Sequence, residues 1–262
     1  MNIQIFQIDA FTENTFGGNP AAVCPLEEWL SDKQMQLIAM ENNLAETVFY
    51  VKNENVFDIR WFTPTTEVDL CGHATLAAAY VILNFGNHNG DTVNFYSHRS
   101  GNLSVTRNND LLTLNFPSDT FEEVEIPDQI IESFHIKPIT ALKGKTDYIL
   151  VFDSQEDITN FVPDFVTIAT LDSRGVIITA PGKDVDFVSR FFAPQSGIPE
   201  DPVTGSAHTS LIPYWSEKLG KTELTARQLS QRQGYLYCKN LGDRVEISGN
   251  ASLYMSGTIF MD

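Results

Sequence analysis

Phe57-Asp58-Ile59-Arg60-Trp61-Phe62-Thr63-Pro64 and Phe187-Val188-Ser189-Arg190-Phe191-Phe192-Ala193-Pro194 carry one pattern at a constant offset. Phe, Arg, Phe and Pro recur in place, and Trp61 has an aromatic counterpart in Phe191. Each copy enters a loop with an acidic residue, Glu67 or Glu200. Each loop closes on a small-residue turn that opens a helix, Gly72-His73-Ala74-Thr75 in the first and Gly205-Ser206-Ala207-His208 in the second. The second loop is three residues longer. Short aromatic strands resemble one another by chance, but strand, loop, glycine turn and buried helix recur here in the same order. The repeat therefore reads as two similar domains, each presenting a helix N-terminus.

A helix N-terminus has chemical content. Its first turn offers unpaired N–H groups and the positive end of the dipole, and glycine there lets a ligand approach the backbone. Two such ends facing one cleft would grip a carboxylate without a lysine or arginine. This reconciles an anionic substrate with an acidic chain, which has 34 Asp and Glu against 17 Lys and Arg and a net charge of -17. The same imbalance excludes a phosphate-tracking surface, so no nucleic acid partner is expected, and it disfavours an anionic membrane.

At 262 residues the chain has the length of about two domains. Its 18 Phe, 8 Tyr and 3 Trp imply packed interiors and exclude wholesale disorder. The longest mainly apolar run, Leu76 to Leu83, is far short of the roughly 20 residues that span a bilayer, and no secretory leader is expected. Cys24, Cys71 and Cys238 have no metal-type spacing, and the five histidines are scattered. No metal site and a cytoplasmic location are expected.

The coarse pattern is mixed. Residues 2–9 alternate toward a strand, and Ser31 with Gln34 reads as a capping box opening a helix to about Asn43. Thr47–Val51 and Phe57–Phe62 read as strands, Ala74–Asn84 as a buried helix and Asp91–Tyr96 as a strand. Leu103–Arg107 and Leu111–Phe116 form a hairpin through Asn108-Asn109-Asp110. Gly17-Gly18-Asn19-Pro20 reads as a loop, and 117–128 as an acidic, less structured crossing. The second half repeats the mixture: strands at 147–152, 174–179 and 186–192, helical stretches near 155–170, a helix from about Ser206 to Leu219, and four closing strands. Short strands, frequent hairpins and the lack of Gly-x-Gly-x-x-Gly exclude a doubly wound parallel sheet. The expected class is α/β (α+β) with mostly antiparallel sheets, divided at 116/117, the last strand being a candidate to return to the first half.

Several segments occur in order along nearly the whole chain: Asp9-Ala10-Phe11-Thr12, Gly18-Asn19-Pro20-Ala21-Ala22-Val23, Asn43-Leu44-Ala45-Glu46-Thr47-Val48-Phe49, Arg60-Trp61-Phe62-Thr63-Pro64, Cys71-Gly72-His73-Ala74-Thr75 and Glu200-Asp201-Pro202-Val203-Thr204-Gly205-Ser206-Ala207. Gln233-Gly234 and Ile247-Ser248-Gly249-Asn250-Ala251 follow. The set resembles the PhzF-like isomerases related to phenazine biosynthesis. The resemblance implies the diaminopimelate epimerase-like fold, with two similar domains each wrapping a mixed sheet around a central helix and the site in the cleft between them. It further implies no cofactor, a homodimer, and proton transfer on a small carboxylate-bearing substrate.

On this resemblance Glu46 is the proton-shuttling carboxyl, where the residues alone allow a solvated strand-edge glutamate. A carboxyl in an apolar cleft can serve as both acid and base near neutral pH. It can take a proton from one carbon and return it to another on the same face. His73 and Asp201 match assisting residues, their plain alternatives being a structural histidine and a turn aspartate. Gly72, Gly205, Ser206 and Asn19 are the expected substrate contacts, with N-capping the alternative for Ser206 and a structural turn for Asn19. Related epimerases use one thiol from each half. Cys71 stands at the first thiol position, but the second falls near Pro202 or Val203, so two-thiol epimerisation is disfavoured. Cys71 is expected to be buried and inert, although a helix N-terminus can lower a thiol pKa.

Alternatives stay open. A catalytically silent small-anion-binding protein would keep the same cleft, and an amino acid racemase or epimerase would use the same fold. A serine or thiol hydrolase is disfavoured because Gly205-Ser206-Ala207 lacks the Gly-x-Ser-x-Gly elbow.

Overall fold

The computed structural model describes residues 1–261. The chain divides into two compact units, Met1–Asn115 with the segment from Ser248 onward, and Phe116–Ile247.

The first unit is built on β1 (Asn2–Ala10), β2 (Asn19–Leu26), α1 (Asp32–Asn42), β3 (Glu46–Asn53), β4 (Val56–Phe62), β5 (Glu67–Val68), α2 (Gly72–Phe85), β6 (Thr92–Ser97), β7 (Gly101–Asn108) and β8 (Leu111–Pro117). β1 pairs antiparallel with β2, β2 runs parallel to β3, and β3 returns antiparallel as β4. β4 then takes β5 antiparallel and β6 parallel. α2 has no polar stripe: Ala74, Leu76, Ala77, Ala78, Ala79, Val81 and Ile82 are all buried. A helix apolar on every side needs cover on every side, and α2 touches β1, β2, β3, β6 and β7. On the other face α1 lays Met35, Ile38 and Ala39 against Cys24, Phe49 and Phe62. Its start is the expected capping box, with Ser31 and Gln34 exchanging bonds.

The second unit comprises β9 (Phe121–Val124), α3 (Asp128–Ser133), β10 (Thr140–Gly144), β11 (Asp147–Val151), α4 (Gln155–Asn160), α5 (Phe165–Ala169), β12 (Gly175–Pro181), β13 (Phe187–Ala193), β14 (Ile198–Asp201), α6 (Gly205–Leu219), β15 (Glu223–Gln228), β16 (Gly234–Asn240) and β17 (Arg244–Gly249). Its pairings restate the first unit. β10 and β11 are antiparallel, β11 and β12 parallel, and β12 and β13 antiparallel. β13 then takes β14 antiparallel and β15 parallel. α6 is the buried helix here. Its Trp215 stacks on Phe187 at 5.8 Å and donates its indole N–H to Thr179 Oγ1 at 2.9 Å. α4 and α5 cover the opposite face with Ile158 and Ile168. Each unit is thus a mixed, mostly antiparallel sheet around a central helix.

The repeat extends to side chains. Arg60 forks onto Glu67 through Nε and Nη2 at 2.7 and 2.8 Å, and Arg190 forks onto Glu200 through the same atoms at 2.7 and 3.0 Å. Each guanidinium lies over the phenylalanine two residues on, Phe62 at 5.2 Å and Phe192 at 5.0 Å.

Some expectations need correction. Asn19-Pro20 is no loop: Asn19 opens β2, opposite Ala10 of β1. The 117–128 crossing is less irregular than expected, since β9 pairs with β10. α6 accommodates Pro213 in its interior, which removes the donor for the Thr209 carbonyl. The Asp119 N–H replaces it at 3.1 Å, and Asp119 Oδ2 also accepts from Ser210 Oγ at 3.0 Å. The closing strand, β18 (Ala251–Phe260), pairs antiparallel with β1.

Candidate active site

Three elements of the first unit begin at one place. β2 and β3 run parallel with Ala21 opposite Glu46, which brings the starts of both strands together. α2 begins beside them with Gly72-His73. Asn19, Glu46 and His73 are all buried, at 0%, 8% and 4% exposure. A solvated strand-edge carboxylate is therefore not what Glu46 is. His73 Nε2 lies 3.1 Å from Glu46 Oε2, and His73 Nδ1 lies 3.1 Å from Asn19 Nδ2. Cys71 Sγ stands 3.5 Å from Nδ1 and 4.0 Å from Nε2 of the same ring.

Local chain geometry explains how Asn19 arrives there. Asp9 is buried and accepts the Phe16 N–H at 2.9 Å, folding the 11–18 loop back. Gly18 turns the chain at φ +59°, where an added Cβ would stand 2.0 Å from the Ala10 carbonyl oxygen. Only glycine can occupy that position without moving a strand. The N–H groups of Phe11 and Thr12 bond the Asn250 carbonyl at 2.8 and 3.2 Å, which ties this corner to the C-terminal segment.

Burial disfavours the His73 imidazolium, but the Cys71 sulfur and the Glu46 carboxylate beside it outweigh that cost. Its pKa is held well above the ordinary histidine value. Cys71 moves the other way from the possibility raised by its helix-start position. Burial first, and then the Glu46 charge, push its thiol up to about 11. Glu46, Cys71 and His73 form one group, their oxygen, sulfur and nitrogen donor atoms all within 4.8 Å of one another. Sequence spacing alone did not reveal this cluster, because Glu46 joins from a separate strand.

The second unit shows what the repeat did with the equivalent positions. α6 starts at Gly205 as α2 starts at Gly72, so the residue in the place of Cys71 is Thr204, not Pro202 or Val203. Both helices tie back at the corresponding later residue. Thr75 Oγ1 donates to the Cys71 carbonyl at 2.6 Å, and His208 Nδ1 lies 2.8 Å from the Thr204 carbonyl. Asp201 is buried and accepts the Thr204 hydroxyl at 2.5 Å, while Gln228 Nε2 donates to the Asp201 carbonyl at 2.8 Å. Asp201 thus has a turn-forming role. Ser206 lies inside the first turn of α6 and is not its N-cap. Its Oγ accepts from Arg174 at 2.9 Å, and Arg174 in turn pairs with Asp147. Arg174 was not among the sequence candidates.

The comparisons with known proteins agree with one another. Residues 8–257 match the phenazine biosynthesis-like protein family, PhzC-PhzF. An uncharacterized isomerase of Pseudomonas aeruginosa is 49% identical over 261 residues, covering all of both chains. A phenazine biosynthesis-like domain-containing protein of Mus musculus is 40% identical over 291 residues, covering 99% of each. The crystal structure of a PhzF family protein from Enterococcus faecalis is 44% identical, with a TM-score of 0.97 over the whole of both chains. A hydroxyproline epimerase from Agrobacterium vitis shares the fold alone, at 10% identity and a TM-score of 0.62 over 98% of this chain and 92% of its own. Among the described residues no helix is long and apolar enough to cross a membrane. The chain, with its epimerase-like fold and its isomerase relatives, belongs to the phenazine biosynthesis-like (PhzC-PhzF) family and is an isomerase.

Proposed function

We propose that this isomerase works without a cofactor and that Glu46 moves the proton, on a small carboxylate-bearing substrate. The observation that carries this reading is the buried Glu46 carboxylate facing His73 at 3.1 Å. Glu46 takes a proton from a substrate carbon and becomes a carboxylic acid. The electron pair of the broken C–H bond shifts the adjacent double bond, and negative charge develops at its far end. Glu46 then returns the proton to a second carbon and is a carboxylate again. His73, held as imidazolium, is suited to stabilise the developing charge by a hydrogen bond in a dry site. Asn19, with its amide turned so that Oδ1 faces the Nδ1 proton, fixes the ring that does so. By family resemblance Asp201 is an assisting residue, and Gly72, Gly205 and Ser206 are substrate contacts, each at the start of its own unit's helix.

Two thiols are not available for a two-base inversion. Thr204, already bonded to Asp201, stands in the second position.

The test is hydrogen exchange in heavy water. A panel of amino acids, hydroxy acids and cyclic carboxylic acids is incubated with the wild type and with Glu46→Gln, and NMR follows deuterium on carbon. Positioned acid–base catalysis is worth roughly 10²–10⁴-fold, so wash-in should fall by that factor in the variant. Equal wash-in by both proteins sinks the role of Glu46. Ligand binding without exchange by the wild type supports a silent binder instead.

A further inference from the structure

We propose that Glu46, Cys71 and His73 form a site for a thiophilic divalent cation of the zinc class, and that such an ion inhibits the enzyme. The inhibition rests on the role given to Glu46 above; the binding does not.

The donors differ in kind, one carboxylate oxygen, one sulfur and one imidazole nitrogen. That mixture is characteristic of zinc, whereas magnesium and calcium take oxygen. Bonds of roughly 2.0–2.3 Å to a tetrahedral ion place the donors about 3.3–3.8 Å apart. His73 Nε2 is already 3.1 Å from Glu46 Oε2 and 4.0 Å from Cys71 Sγ. All three donors lie within 4.8 Å of one another, so shifts of under about 1 Å complete the geometry.

The charges also match. A thiolate and a carboxylate together cancel a divalent cation, which removes the cost of burying either anion alone. On binding, the Cys71 S–H bond and the His73 Nε2–H bond break, their electron pairs form the S–metal and N–metal bonds, and two protons leave to solvent. Glu46 Oε2 is fully buried and lies 3.1 Å from His73 Nε2, so a metal takes the place of the ring proton between them. His73 uses Nε2 for the ion and keeps its proton on Nδ1, beside Asn19. The Asn19 amide, turned over, accepts that proton as the outer partner a metal-bound histidine needs. With three protein donors filled, the Glu46 carboxylate can no longer accept a proton from carbon.

The experiment titrates the chelator-treated, full-length protein with CoCl2, ZnCl2 and MgCl2 in the absence of substrate. One equivalent of cobalt should give a thiolate-to-cobalt charge-transfer band, which one equivalent of zinc abolishes and magnesium leaves unchanged. Cys71→Ser and Cys71→Ala should lose the band and weaken zinc by more than about 100-fold, beyond the loss of an outer-shell partner. Cys238→Ala should keep it. Circular dichroism checks that each variant is folded. No band in the wild type, a band that survives in folded Cys71→Ser, or equal competition by magnesium overturns the site. Deuterium wash-in, measured with chelator and then with one equivalent of zinc, separates the two claims. Wash-in that zinc leaves unchanged overturns the inhibition. No wash-in even with chelator counts against the catalytic reading and leaves the cobalt result to decide the metal site.

Discussion

Arg190 holds Glu200 through both guanidinium edge nitrogens, at 2.7 and 3.0 Å, and spends its remaining nitrogen on two backbone carbonyls, Ile158 and Phe161. Arg60 holds Glu67 in the same fork, but its remaining nitrogen reaches Asp32, whose side chain is 81% exposed. The two braces look alike and differ in what their removal strands.

Replacing Arg190 with lysine should therefore cost more than the same change at Arg60. A lysine cannot reproduce a planar fork, and at 190 it also leaves carbonyls of the α4 end short of a donor, worth about 1–3 kcal/mol. The exposed Asp32 contact of Arg60 is worth about 0–1 kcal/mol. Urea unfolding of both variants measures the difference. Equal losses would show that the Ile158 and Phe161 contacts contribute nothing.

His73 should titrate well above the ordinary histidine range, and its midpoint should fall in Glu46→Gln, because burial then acts with less opposition. Imidazole NMR shifts against pH give both midpoints; an unchanged midpoint in the variant would remove Glu46 as a cause. The sign for stability follows. A histidine raised in the folded state contributes fully below its unfolded value near 6.5 and loses that contribution as pH climbs through the folded midpoint. Thermal melts should show an alkaline decline that His73→Asn lacks.

His208 supplies the opposite limb. Burial pushes it down from 6.5 to about 4, with the Thr204 carbonyl only partly offsetting this. The unfolded chain binds its proton first, so stability falls as pH drops from about 6.5 toward 4, by about 3 kcal/mol. His208→Asn keeps a donor for the Thr204 carbonyl without the titration. Its stability should be flatter over this window, and a slope identical to wild type would contradict the assignment.

Gly18→Ala should destabilise by about 2 kcal/mol or more, since its Cβ would meet the Ala10 carbonyl oxygen at 2.0 Å in a left-handed turn. Because Asn19 follows directly, catalysis should drop as well. Chemical denaturation and the exchange assay read the two effects separately, and wild-type values in both would refute the strained turn.

The repeat at 57–64 and 187–194 made the architecture legible, because a half-buried arginine fork needs the same strand, loop and acid each time. β2 was hidden, since Gly17-Gly18-Asn19-Pro20 has the composition of a turn and becomes a strand only by pairing with β1 and β3. β9 and β10 were hidden likewise, each short and defined by its partner. Glu46 and His73 were visible as family positions. The contact of Asn19 with His73 spans 54 residues of sequence and was not. Thr204 as the counterpart of Cys71 was already implied by aligning Gly72 with Gly205, and the N-cap positions of the two helices agree with it.

Pro213 has a consequence outside its own helix. By withholding an amide it leaves one carbonyl on Thr209 for Asp119, a residue in an irregular stretch. The Asp119 amide is therefore tied to the opening of α6, and its hydrogen should exchange with the slow cohort of that helix instead of with the coil around it. A single proline thus makes a piece of loop keep the clock of the core.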